Sequence, residues 1–162
     1  MSTTMETEQA VAATATGGKF LTFFLDREEY GIEILSVREI IGLLPVTPVP
    51  QTPYYVQGVI NLRGQVIPVV DLRLKFDMEP IDSTEETCII VVQTGGAQLG
   101  IIVDKVSEVL DIPTRDIVDA PTLGTEINTD YIMGIGKSEG RVTLLLDIGM
   151  IFPSSEVSEF TG

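Results

Sequence analysis

Apolar residues in this chain come in short runs broken by glycine, proline and acidic residues, which is the pattern of small strands and turns. Phe20–Leu25 reads as a strand, Asp26–Glu29 as a polar turn and Tyr30–Ile34 as a second strand. Ile34, Val37 and Ile41 then fall at helical spacing and predict a short helical piece, with Arg38 and Glu39 turned elsewhere. Leu44–Tyr54 holds Pro45, Pro48, Pro50 and Pro53, so only an extended surface connection is expected there. From Gly58 to Leu72 two Val/Ile/Leu-rich segments flank a turn at Arg63-Gly64, where glycine suits the positive φ of a tight hairpin.

The plan then repeats. Gly134–Ile148 has the same hairpin pattern, with Gly134 matching Gly58, Gly140 matching Gly64 and Asp147 matching Asp71 at a shift of 76 residues. At a shift of 69, Tyr30-Gly31-Ile32 falls on Leu99-Gly100-Ile101, Val37 on Val106 and Glu39 on Glu108. The second copy carries a longer middle loop, residues 111–130, and Gly95-Gly96 marks a further hairpin turn. A unit of this length is too long for a solenoid repeat and suits a small barrel of about five strands. The expectation is a mainly β protein: two tandem five-stranded β-barrels with short helices. Residues 1–18 are expected to be a mobile tail, 19–80 the first barrel half, 81–152 the second, and 153–162 a frayed tail.

Composition narrows the function classes. The net charge of −14 lacks the clustered Lys and Arg that nucleic acid or an anionic bilayer would require. The acidity is uneven, with six basic and ten acidic side chains before residue 81 and four and fourteen after it. The single cysteine, Cys88, sits in an apolar run and has no internal disulfide partner, which fits a reducing cytoplasm. The first eighteen residues lack the basic and apolar segments of a signal peptide, and no apolar run approaches the ~20 residues of a membrane span.

Catalytic chemistry is poorly supplied. Without histidine the chain lacks the commonest general base and metal ligand. Gly136-Lys137-Ser138 misses a phosphate-binding loop because Tyr131 stands where its first glycine belongs. Asp71 and Asp147 read as acceptors of local backbone N–H groups, not as a carboxylate pair. No cofactor or metal is expected. Arg63 is the informative residue, because its counterpart is Glu139 and the hairpin therefore folds without arginine there. It is either a solvated turn charge or a contact only one copy supplies. Glu39, kept as Glu108, fits a role in the fold as well as in binding. Val37 and Val106 fit the core. Ile117, Val118 and Leu123 place apolar side chains in an acidic loop, as a partner surface or as its anchor.

Several blocks together resemble the CheW family of bacterial chemotaxis coupling proteins. They include Tyr30-Gly-Ile-x-Ile-Leu-x-Val-x-Glu-Ile40, Pro53-x-x-x-x-Gly-Val-Ile-Asn-Leu-Arg-Gly64, Pro68-Val-Val-Asp-Leu-Arg73 and Gly100-Ile-Ile-Val-Asp-Lys-Val-Ser-Glu-Val-Leu110. Tyr131-Ile-Met-Gly-Ile-Gly136 continues the match, which spans about residues 19–152. The resemblance implies two SH3-like barrels, no enzymatic activity, and an adaptor in the cytoplasm recruited to membrane-associated receptor arrays. Its partners would be chemoreceptor tips, the CheW-like regulatory domain of the histidine kinase CheA, and other copies in rings. On that pattern Val37, Glu39, Gly58, Arg63, Val106 and Val109 would face the receptor, and Val118 and Leu123 the kinase. An adaptor of a non-flagellar system, such as type IV pili, is the alternative.

Overall fold

A computed structural model describes residues 17–119, 131–153 and 156–157. Eleven strands and two short helices follow in order among them: β1 (Gly18–Leu25), β2 (Glu28–Glu33), β3 (Val37–Gly42), β4 (Val56–Leu62), β5 (Gln65–Asp71), α1 (Leu72–Lys75), β6 (Cys88–Thr94), β7 (Ala97–Val103), β8 (Lys105–Ile112), β9 (Ile117–Val118), β10 (Ile132–Ser138), β11 (Arg141–Leu146) and α2 (Ile148–Ile151). The mainly β expectation holds. The tight turns form where expected, with Arg63-Gly64 and Glu139-Gly140 both at positive φ. The helical piece does not. Ile34–Ser36 is a single 3-10 turn, and Val37–Gly42 is a strand whose residues alternate between half-buried and exposed. The spacing misleads because Val37 and Ile41, four apart, share a face in a strand as well as in a helix, while Ile34 belongs to the 3-10 turn before it.

The two sheets do not follow the expected division near residue 80. One runs β8-β1-β2-β11-β10-β9 and the other β3-β6-β7-β5-β4, so each takes strands from both copies. The exchange is reciprocal. β2 lies parallel to β11 with Gly31 opposite Leu145, and β7 lies parallel to β5 with Gly100 opposite Val69, the equivalent pairs. Likewise β1 pairs antiparallel with β8, and β6 with β3. Backbone hydrogen bonding carries no side-chain code, so equivalent strands of a duplicated chain can pair within or between copies. The links at residues 34–36 and Asp104 carry the chain from one sheet to the other.

Three apolar clusters hold this arrangement. One lies inside each sheet: Ile60, Ile67, Val69, Ile89 and Val91, and in the other Phe20, Ile112, Ile117 and Leu145. The largest joins the sheets, with Phe23, Tyr30, Ile90, Ile101, Phe152 and Val157 among its buried members. Residues 154–155 and 158–162 lie outside the described residues, but Val157, in the segment expected to fray, is buried in this cluster. Its neighbour Glu156 accepts a hydrogen bond from Tyr55 Oη at 2.8 Å and meets Lys75 Nζ at 3.4 Å. Lys75 in turn lies 4.3 Å over the Tyr55 ring. Residues 1–16, expected to be a tail, lie outside the described residues.

Candidate functional site

Asp71 and Asp147 do what their neighbourhood suggests. Each caps a short helix, Asp71 accepting from Arg73 N at 2.9 Å and Asp147 from Met150 N at 3.2 Å. The residue after Leu72, Arg73, is a buried guanidinium and a structural feature that strand reading passes over. Its Nε and Nη2 reach the two oxygens of Asp104 at 2.8 Å, its Nη1 reaches the Glu79 carbonyl at 2.6 Å, and it also pairs with Asp26. Asp26 and Asp104 border strands of the other sheet, so this cluster ties α1 to it.

Of the expected contact residues, Val37, Glu39 and Arg63 line one depression of about 400 Å³ on the sheet containing β3. Arg63 donates to Glu39, bringing together two residues 24 positions apart. That hydrogen bond holds the Glu39 carboxyl below its ordinary range and raises the Arg63 guanidinium. Arg38, Gln65 and Gln98 share the depression. Residue order does not point to them, because helical spacing near Val37 turns Arg38 away and the glutamines sit on strands that only the fold gathers. An alternating-strand reading of Val37–Gly42 would have put Arg38 and Ile40 outward.

Gly58 has a backbone role. Its φ is +144°, and a Cβ there would lie 2.1 Å from the Thr47 carbonyl oxygen. The proline-rich connection is held at this point by two hydrogen bonds between Thr47 and Val59, at 2.8 and 2.9 Å. Its counterpart Gly134 is approached by β9, where a Cβ would lie 2.7 Å from the Ile117 side chain and 3.2 Å from the Val118 carbonyl oxygen. Val106 and Val109 stand apart from the depression, on β8 in the other sheet. Val106 packs on the large core cluster, as Val37 does, while Val109 is exposed like its counterpart Ile40. In the loop before residue 120, Ile117 is buried and anchors β9, whereas Val118 is exposed. Leu123 lies outside the described residues.

The other sheet pairs its charges differently. Glu108 takes Arg141 Nη1 at 2.8 Å, and Glu29, itself buried, takes Arg141 Nε at 3.1 Å and Nη2. These contacts raise the Arg141 guanidinium, the Glu29 hydrogen bonds most. Arg141 is equivalent to Gln65 and Glu29 to Gln98, so one scaffold carries two different polar clusters. No described helix is long and apolar enough to cross a membrane.

Comparison with known proteins agrees with this geometry. The family model for the CheW-like domain matches residues 19–156. The chain is similar to chemotaxis protein CheW of Klebsiella aerogenes, with 39% identity over 95% of this chain and 93% of the relative. It is 37% identical to chemotaxis protein CheW of Rhizobium meliloti, over 93% of this chain and 97% of the other. Protein FrzA of Myxococcus xanthus is 29% identical over 85% of this chain and 86% of its own. The crystal structure of the scaffolding protein TtCheW from Thermoanaerobacter tengcongensis superposes with a TM-score of 0.79 at 33% identity, over 85% of this chain and 94% of that one. With two SH3-like sheets, a match along nearly its whole described length and relatives of this kind, the chain belongs to the CheW-like family of chemotaxis coupling proteins.

Proposed function

We propose that this chain is a non-enzymatic adaptor that couples the cytoplasmic tips of chemoreceptors to the histidine kinase CheA, working in the cytoplasm at receptor arrays. The observation that carries this reading is its similarity, along almost its full length, to proteins named for chemotaxis. The receptor would lay a helix across the depression formed by Val37, Glu39 and Arg63, the recognition mode in which apolar anchors give affinity. The Arg63–Glu39 pair would set its register by charge. Val106 and Val109 would extend that contact onto the second sheet, and Val118, with the loop through Leu123, would meet the kinase's CheW-like domain. Two different faces permit heterologous contacts that close into rings. No turnover is asked of the adaptor. The apolar cluster shared by both sheets suits it to transmit a receptor's bias as a stiff connector.

Pull-down with a receptor cytoplasmic fragment and the CheA regulatory domain, separately and together, tests this. A ternary complex is expected. Arg63→Asp should weaken receptor binding by about 2 kcal/mol or more while scarcely moving thermal unfolding, because an exposed ion pair contributes about 0–1 kcal/mol. Val118→Asp should loosen the kinase and spare the receptor. Mutual displacement of the two partners would overturn the coupling reading.

A further inference from the structure

The duplication gives the molecule an internal comparison, because several equivalent positions in the two copies differ in charge and one pair, Arg63 and Glu139, is opposite. Around the bulge in β3, Arg38, Arg63 and one carboxylate, Glu39, line the same depression, and the remaining polar lining is the neutral pair Gln65 and Gln98. Among the described residues Arg38 makes no ion pair or side-chain hydrogen bond, and Arg63 has only Glu39. A guanidinium has five N–H donors in a planar fork, so most of the donor capacity here is unused. At the matching positions of the other copy, Ser107 replaces Arg38 and Glu139 replaces Arg63. The guanidinium at the position of Gln65 there, Arg141, spends Nε and both Nη groups on Glu29 and Glu108, and Arg27 borders the same surface beside the carboxylates of Glu28 and Glu29.

We infer that the depression holding Arg38 and Arg63 is a carboxylate-accepting subsite for an acidic side chain on the partner helix, and that its counterpart on the other sheet is closed to such a group by its own carboxylates. This rests on the receptor-coupling reading and adds the partner chemistry to it. The chain carries a net charge of −14, so an approaching carboxylate is repelled by most of the surface. A guanidinium with free donors, lining the same depression as a second one, then offers a local attractive site with the bidentate geometry carboxylates prefer. A scaffold with near-equivalent halves could accept a helix against either copy, and the charge difference selects one. Arg38 is thereby a specificity-determining residue, reached through the strand geometry of β3.

Two measurements on the full chain test it. In the first, hexaglutamate is titrated while the arginine Nε–H resonances are followed by NMR. Arg38 and Arg63 should shift and Arg141 should not, and added salt should suppress the effect. Unmoved Arg38 and Arg63 signals, or equal movement of Arg141, would overturn the subsite. In the second, Arg38→Glu should weaken binding of the receptor cytoplasmic fragment about tenfold or more and Arg38→Gln by less, with melting temperature unchanged. Wild-type-like binding by Arg38→Glu defeats the inference and leaves the coupling reading intact. A hexaglutamate response without any receptor binding by the wild type keeps the carboxylate site and defeats the coupling reading.

Discussion

At Gly58 any side chain would have to occupy the space of the Thr47 carbonyl, and the backbone lies in a region that L-residues rarely adopt. Gly58→Ala should therefore lower stability by about 1–3 kcal/mol from backbone strain alone, with the displaced proline-rich connection adding to it. Thermal unfolding measures this. An unchanged melting temperature with lost receptor binding would move Gly58 from the fold to the contact surface. Arg63, on the same hairpin, is the opposite case. Its exposed guanidinium is replaced by Glu139 in the other copy without change of turn geometry, so its substitution should be read in binding and not in unfolding.

Elements are joined most tightly by Arg73. Its side chain is only 5% exposed, and its carboxylate partners come from the β1–β2 turn of the opposite sheet and from the β7–β8 link that joins the two sheets. Removing one member of a buried pair strands the other, so Arg73→Leu should cost about 3–5 kcal/mol. The value should fall toward the lower end, because Asp26 is half exposed and partly screened by solvent. Burial pushes the Asp104 carboxyl up, but the Arg73 hydrogen bond, the Asp26 N–H and the nearby positive charge outweigh it and hold it below its ordinary 3.8. A carboxyl depressed in the folded state contributes stability that is full above its unfolded value, near pH 4, and is lost as pH falls through the lower folded value. Urea unfolding should thus weaken in acid, and Asp104→Asn should be less stable near neutrality with a flatter acid limb. An unaltered acid limb in that variant would show that Asp104 is not a source of the pH dependence.

For the molecule as a whole, the exchange of strands makes the two sequence copies mutually dependent. Residues 19–80 alone would lack the strands that flank β1 and β2, and residues 81–152 alone would lack those that flank β6 and β7. The largest apolar cluster would be cut through as well. Each fragment should be unfolded by circular dichroism when isolated, and the pair should recover strand signal and a cooperative transition only when expressed together. Two independently folded fragments would contradict the shared core. The same continuity is what suits the protein to hold two partners in a constant relation.

Local chemistry was open to reading from residue order alone. Turn glycines, capping aspartates and apolar alternation act within a few residues of themselves, so the hairpins at Arg63-Gly64 and Glu139-Gly140, the caps at Asp71 and Asp147, the duplication and the family followed from it. The short helix expected near Val37 failed for a local reason too, since residues four apart share a face in a strand as they do in a helix. Strand pairing between copies, the partners of Arg73, the seat of Val157 and the gathering of Arg38, Gln65 and Gln98 around Glu39 and Arg63 were settled only in three dimensions. Equivalent strands present the same backbone groups, and charged side chains select partners by distance in space, which residue order does not encode.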